Sequence, residues 1–65
     1  MHYESSLCKL AGRGQWEVAA AMTGEDPYLQ RHLVRLMVES GEMERAADAH
    51  RLFQLPGDPP GGEHA

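Results

Sequence analysis

Apolar residues recur along this chain at spacings of three and four, and each run is closed by glycine or proline. Tyr3, Leu7 and Leu10 stand at i, i+4 and i+7, one face of a helix. Glu4 near its start and Lys9 near its end suit the helix macrodipole. Gly12-Arg13-Gly14 then breaks the run, because two glycines in three residues weaken a helix and admit positive φ. From Gln15 the pattern resumes, with Trp16, Ala19, Ala20 and Met22 forming a short apolar face. Ala19-Ala20-Ala21 is strongly helical and leaves room for a neighbouring helix to come close. Thr23-Gly24-Glu25 ends this segment.

Asp26-Pro27 is the clearest punctuation. Asp26 can accept bonds from the first free N–H groups of a helix, and Pro27 suits a first position where no N–H is required. Leu29, Leu33, Leu36 and Met37 follow at i, i+4, i+7 and i+8, which predicts a helix from Pro27 to about Glu39, closed by Ser40 and a left-handed Gly41. A fourth helix is predicted from Glu42 to about Phe53, on the spacing of Met43, Ala46, Ala47, His50 and Phe53. Leu55-Pro56 ends it. The remaining residues are rich in Gly and Pro and have almost nothing to bury, so they are expected to be disordered. The expectation is therefore an all-α fold of about four short helices. Residues 1–55 form a helical module and residues 56–65 a tail.

Setting Gly14 over Gly41 reveals a weak internal repeat. Trp16 then meets Met43, Ala19 meets Ala46, and Ala20 meets Ala47. Upstream, Leu7 meets Val34, Leu10 meets Met37 and Ala11 meets Val38. Each copy is a helix, a glycine turn and a second helix with small inner residues. That is the αα-hairpin unit of helical solenoids, although any two helical hairpins share part of this pattern. Solenoid units need neighbours to bury their faces, so two hairpins in 65 residues are expected to be part of a larger helical array.

Size and charge narrow the picture. A domain this short hides only about 60% of the surface its unfolded chain exposes, and one cysteine, Cys8, cannot form an internal disulfide. Six Lys and Arg against ten Asp and Glu leave a net charge of −4. That argues against a phosphate backbone being gripped by this chain alone. Arg31 and Arg35 share a helical face with Glu39, which reads as a mixed, salt-bridged surface or as a short basic strip. The longest apolar run, Val18 to Met22, is far too short for a membrane span, and the first residues do not form a secretory signal. An intracellular location, cytoplasmic or nuclear, is expected.

The candidate chemistries fail on spacing. Cys8, His2, His32, His50 and His64 invite metal binding, but no pair stands at ligand spacing. The histidines read as surface or boundary residues, and Cys8 as a half-buried small hydrophobe. No Asp-x-Glu pair is present for two-metal nuclease chemistry. Gly12 and Gly14 lack the Lys-Ser/Thr of a phosphate loop. No catalytic, cofactor-binding or metal-binding residue is assigned. Trp16 is expected to plug the core, and Tyr28 is either a packing residue or a contact residue able to stack on a base.

Trp16 upstream of Pro27-Tyr28-Leu29-Gln30, leucines at helical spacing, an Ala-rich helix and Leu55-Pro56 together resemble a known arrangement. It is the helical region before the nuclease domain in Nibbler/Mut-seven-type 3′→5′ exoribonucleases. Glu4-Ser5-Ser6-Leu7 is similar to the segment upstream of that tryptophan, and Tyr28 takes the aromatic position. The resemblance implies a noncatalytic module that supports a nuclease domain or presents RNA or a protein partner to it. Its partners would be flanking helices and that domain, without a membrane. Mg or Mn is implied for the parent nuclease domain and no cofactor for this chain. No catalytic position of that family falls in these residues, and the Gly/Pro tail departs from an onward run into a nuclease domain, as a fragment would. The alternative is a generic helical-repeat scaffold for a protein partner, with no nucleic-acid role.

Overall fold

A computed structural model describes residues 3–60. Four helices follow one another: α1 (Tyr3–Gly12), α2 (Trp16–Thr23), α3 (Pro27–Glu39) and α4 (Met43–Leu52). The fold is all-α, with no strand among the described residues.

The helix ends are written in local chemistry. Asp26 accepts the Tyr28 backbone N–H at 2.9 Å, with Pro27 in the first turn, and Gln30 Nε2 donates to the Gly24 carbonyl at 3.0 Å. The Gly14 N–H donates to Ala11 O at 3.0 Å while that of Gln15 reaches Leu10 O at 2.9 Å. Twenty-seven residues on, Gly41 donates to Val38 O at 3.0 Å and Glu42 to Met37 O at 2.8 Å. Both are Schellman closures, with Gly14 at φ +72° and Gly41 at φ +80°. The two hairpins thus turn through the same hydrogen bonds at the register that the Gly14/Gly41 pairing predicts. α4 closes the same way, Gln54 to Arg51 O and Leu55 to His50 O, but with Gln54 itself at φ +58°.

Helix α3 is the hub. It packs on α1, α2 and α4, and α1 also packs on α2; α4 rests on α3 alone. Leu33 of α3 is fully buried, and Leu29, Val34 and Met37 surround it. Leu7 comes in from α1, Trp16 and Ala19 from α2, and Ala46 from α4. The repeat partners Ala19 and Ala46 are both fully buried; of the pair Leu7 and Val34, the first is fully and the second nearly buried. Trp16 plugs the core as expected, but its counterpart Met43 is exposed.

Several expectations are corrected. Cys8 is exposed rather than half-buried, because it sits one residue, or about 100°, round the helix from Leu7. Ion pairing on α3 is absent: among the described residues the pairs are Arg45–Glu42 at 3.3 Å and Arg51–Asp48, both on the fourth helical segment. Arg31, Arg35 and Glu39 join neither. The start of the tail is tied down, since His50 Nε2 lies 3.2 Å from the Pro56 carbonyl oxygen and Pro59 and Pro60 are half-buried. The rest of the expected disordered tail, residues 61–65, lies outside the described residues, as does His2.

Candidate functional site

Two surfaces could receive a ligand. The first follows from the packing order. Because α2 and α4 both lie on α3 without approaching each other, a groove opens between them. Its floor is Met37, its walls are Trp16, Ala20, Ala49 and Leu52, and Glu17, Arg45 and Asp48 form the rim. The open groove has a volume of about 220 Å³. A second hollow of about 330 Å³ shares Trp16, Glu17 and Arg45 and extends the groove to the Gly14–Gln15 turn. The two small alanines let a backbone come close, and Leu52 stands 78% exposed at the far end. These side chains offer apolar contact and scattered charge, but no nucleophile with an adjacent base.

The second surface is a cup on α3 of about 140 Å³, lined by Tyr28, Arg31, His32 and Arg35. Residues three and four apart share a helix face, so a single helix builds the whole cup. The Tyr28 and His32 rings lie parallel within 8°, their centroids 6.5 Å apart. Tyr28 is 63% exposed, yet its ring is held, because its hydroxyl donates to the Glu4 carboxylate on α1. That hydrogen bond, followed by the negative charge of Glu4, pushes the Tyr28 pKa up from 10.0, with Arg35 pulling weakly the other way. His32 Nε2 is buried without a hydrogen-bond partner. A buried polar atom in that state costs about 1–3 kcal/mol.

Among the described residues, His32, His50 and Cys8 form no metal cluster, and no three of His, Cys, Asp and Glu lie close enough to hold a metal ion. His50 is committed to the Pro56 carbonyl instead. Two polar residues are buried: Thr23, which the sequence analysis did not single out, and His50, which it placed on the spacing of the fourth helix and at the boundary. Thr23 is buried because its hydroxyl donates to Ala20 O at 2.6 Å, within its own helix. His50 is buried because a turn that follows its helix supplies an acceptor. The spacing of Thr23 three residues after Ala20 was a usable signal for the first; for the second, the spacing of His50 four residues after Ala46 gave the face but not the acceptor. No helix among the described residues is long and apolar enough to cross a membrane. No family model matches the chain, and no curated protein or solved structure matches it either.

Proposed function

We propose that the chain is a noncatalytic helical module that packs against further helices of a larger protein, the setting being a 3′→5′ exoribonuclease whose nuclease domain it supports. The groove between α2 and α4 carries the packing part of this reading. An apolar floor with alanine walls and a leucine standing in solvent suits the side of another helix. The exonuclease setting rests on the resemblance of Trp16 and Pro27-Tyr28-Leu29-Gln30. Intracellular placement goes with that setting. Mg or Mn would belong to the nuclease domain.

The chain is expected to bind an apolar fluorescent dye, and Ala49→Glu, which puts a charge in the groove wall, is expected to abolish the signal while leaving the far-ultraviolet helical spectrum intact. A wild-type chain that binds no dye and melts in one sharp transition overturns the packing reading. The exonuclease setting predicts an Asp-x-Glu nuclease domain in the reading frame beyond Ala65, and no trimming of RNA by this chain with Mg²⁺. A frame without that domain removes the setting. A second reading, a protein-binding scaffold with no nucleic-acid role, is favoured by the net charge of −4. Salt titration of RNA binding by the parent protein separates the two, since binding through phosphates weakens steeply with salt.

A further inference from the structure

Apart from the Tyr28 hydroxyl, which ties α3 to Glu4 of α1, the cup on α3 takes no part in the buried core, and it sets two arginines beside two aromatic rings. We propose that Tyr28, Arg31, His32 and Arg35 form a contact site for single-stranded nucleic acid. In it the two arginines hold backbone phosphate and the Tyr28 ring takes a base. This deepens the RNA side of the proposed function and rests on that reading, while using a face other than the groove.

Three independent observations converge. The first is charge left unused. Every ion pair among the described residues lies in the fourth helical segment, so the guanidinium groups of Arg31 and Arg35, both exposed, are free to meet an anion. One turn apart on α3, they are spaced to straddle a phosphate or to meet two successive ones, and guanidinium forks suit phosphate oxygens. The second is a platform. The Tyr28 ring is solvent-exposed, parallel to His32, and fixed by the hydrogen bond to Glu4, so a base can stack without first ordering it. The third is an unmet hydrogen bond at His32 Nε2, beneath the same cup. It is the buried side-chain polar atom left without a partner among the described residues, and it belongs to a residue that lines the cup.

The cup's volume of about 140 Å³ limits the ligand. It is below the roughly 300 Å³ at which drug-sized pockets begin, so it takes one phosphate and the edge of one base, not a whole nucleotide. An acidic peptide would use the arginines but leave the aromatic platform idle. Glu4, hydrogen-bonded to the Tyr28 hydroxyl, repels an anion and keeps the contact weak, so the site adds to a longer path and does not grip RNA alone.

The test is fluorescence anisotropy of the 65-residue chain with a labelled oligouridylate of about ten nucleotides, within the span one small domain covers. Weak binding is expected, with log K falling against log salt at a slope of about −0.7 to −1.4, for one or two phosphates neutralised. Arg31→Gln with Arg35→Gln should remove this salt dependence and at least ~10-fold of the affinity. Tyr28→Ala should lose ~5-fold or more, the low end for one stacked base. Arg31, Arg35 and Tyr28 are exposed, so thermal melts check that each variant still folds. Ring signals of Tyr28 and His32 should shift together in nuclear magnetic resonance as RNA is added. Unchanged affinity in the double arginine variant overturns the proposal. So does equal binding of inorganic polyphosphate, which has no base to stack, or tighter binding of polyglutamate than of RNA. Failure here leaves dye binding at the groove untouched, so it is distinguishable from failure of the packing reading.

Discussion

The two hairpins share a turn and differ in what surrounds it. In the first, α1 and α2 pack on each other and both pack on α3, which closes a three-helix core around Leu7, Trp16 and Leu33. In the second, α4 has only α3 among the helices to lean on; Ala46 is fully buried there, with Ala49 and Phe53 half-buried beside it. Local sequence is not the cause, since the Gly14 and Gly41 closures make the same hydrogen bonds. The difference lies in the neighbours met: α1 touches both α2 and α3, and α4 touches α3 alone. α2 has helices on both sides of it in the chain, whereas the face of α4 towards α2 is the open groove. The lesson is that the same hairpin chemistry gives a core in one place and an open groove in the other, according to how many neighbours it meets.

Removing the hub should erase the difference. Leu33 is fully buried where α3 meets the other helices, and Leu33→Ala is expected to cost about 2–5 kcal/mol. A single core of this size rarely supplies more than about 3–5 kcal/mol, so both hairpins should unfold together. Urea titration followed by Trp16 fluorescence checks this; a loss below ~1 kcal/mol would mean that α3 is not the hub. Overpacking at Ala46, the one fully buried residue of α4, should do the opposite and sharpen the contrast. Ala46→Leu forces three further carbons and their hydrogens into a filled space, at about 1–3 kcal/mol. Amide exchange should then quicken in α4 while α1, α2 and most of α3 stay protected. Uniform loss of protection would make the four helices one cooperative unit.

Much of this comparison was legible in the sequence. Apolar spacing and the Asp26-Pro27 start placed α3 at its observed bounds, and the Gly14/Gly41 pairing anticipated a shared turn. Both signals are local: a period and a cap act within a few residues. The groove was not legible, because it depends on α2 and α4 both choosing α3 and not each other. Nor was the cup. The spacing of Arg31, Arg35 and Glu39 permits an ion pair, but whether long, solvated side chains close it is decided by small energies that spacing does not encode. Cys8 was misplaced because adjacency to Leu7 in the chain is not adjacency on a helix face.

The helix closures allow a finer cut. Gly14, Gly41 and Gln54 hold the same left-handed position in three Schellman ends, yet the third carries a side chain. A Cβ on Gly41 would meet nothing within 4 Å, so Gly41→Ala tests the backbone alone and should cost about 1–2 kcal/mol. Gln54→Gly relieves the same strain, partly offset by the greater freedom of glycine in the unfolded chain, for a net gain of about 0.5 kcal/mol. Opposite signs in paired melts would show that the turn, and not its surroundings, sets both energies. A loss in Gln54→Gly would mean that the glutamine side chain packs usefully where it stands.

The smallest expected effect lies in the tie between α1 and α3, which has no counterpart on α4. The Tyr28 hydroxyl donates to Glu4 across 24 positions of sequence, and the carboxylate raises the tyrosine pKa above its ordinary 10.0. Because the folded value lies above the unfolded one, the tie contributes fully below pH 10.0 and fades as pH rises through the folded value. In a Tyr3→Phe background, so that one tyrosine is read alone, the ultraviolet titration of Tyr28 should therefore be displaced to the alkaline side. Glu4→Gln removes the charge and should bring it back towards the ordinary value. Stability below neutrality should be the same in both chains apart from the lost hydrogen bond, because Tyr28 is protonated there in either state. A titration that does not move on Glu4→Gln would mean that the ring is held by Arg35 and His32 alone, and that the first hairpin's extra hold on α3 is purely apolar.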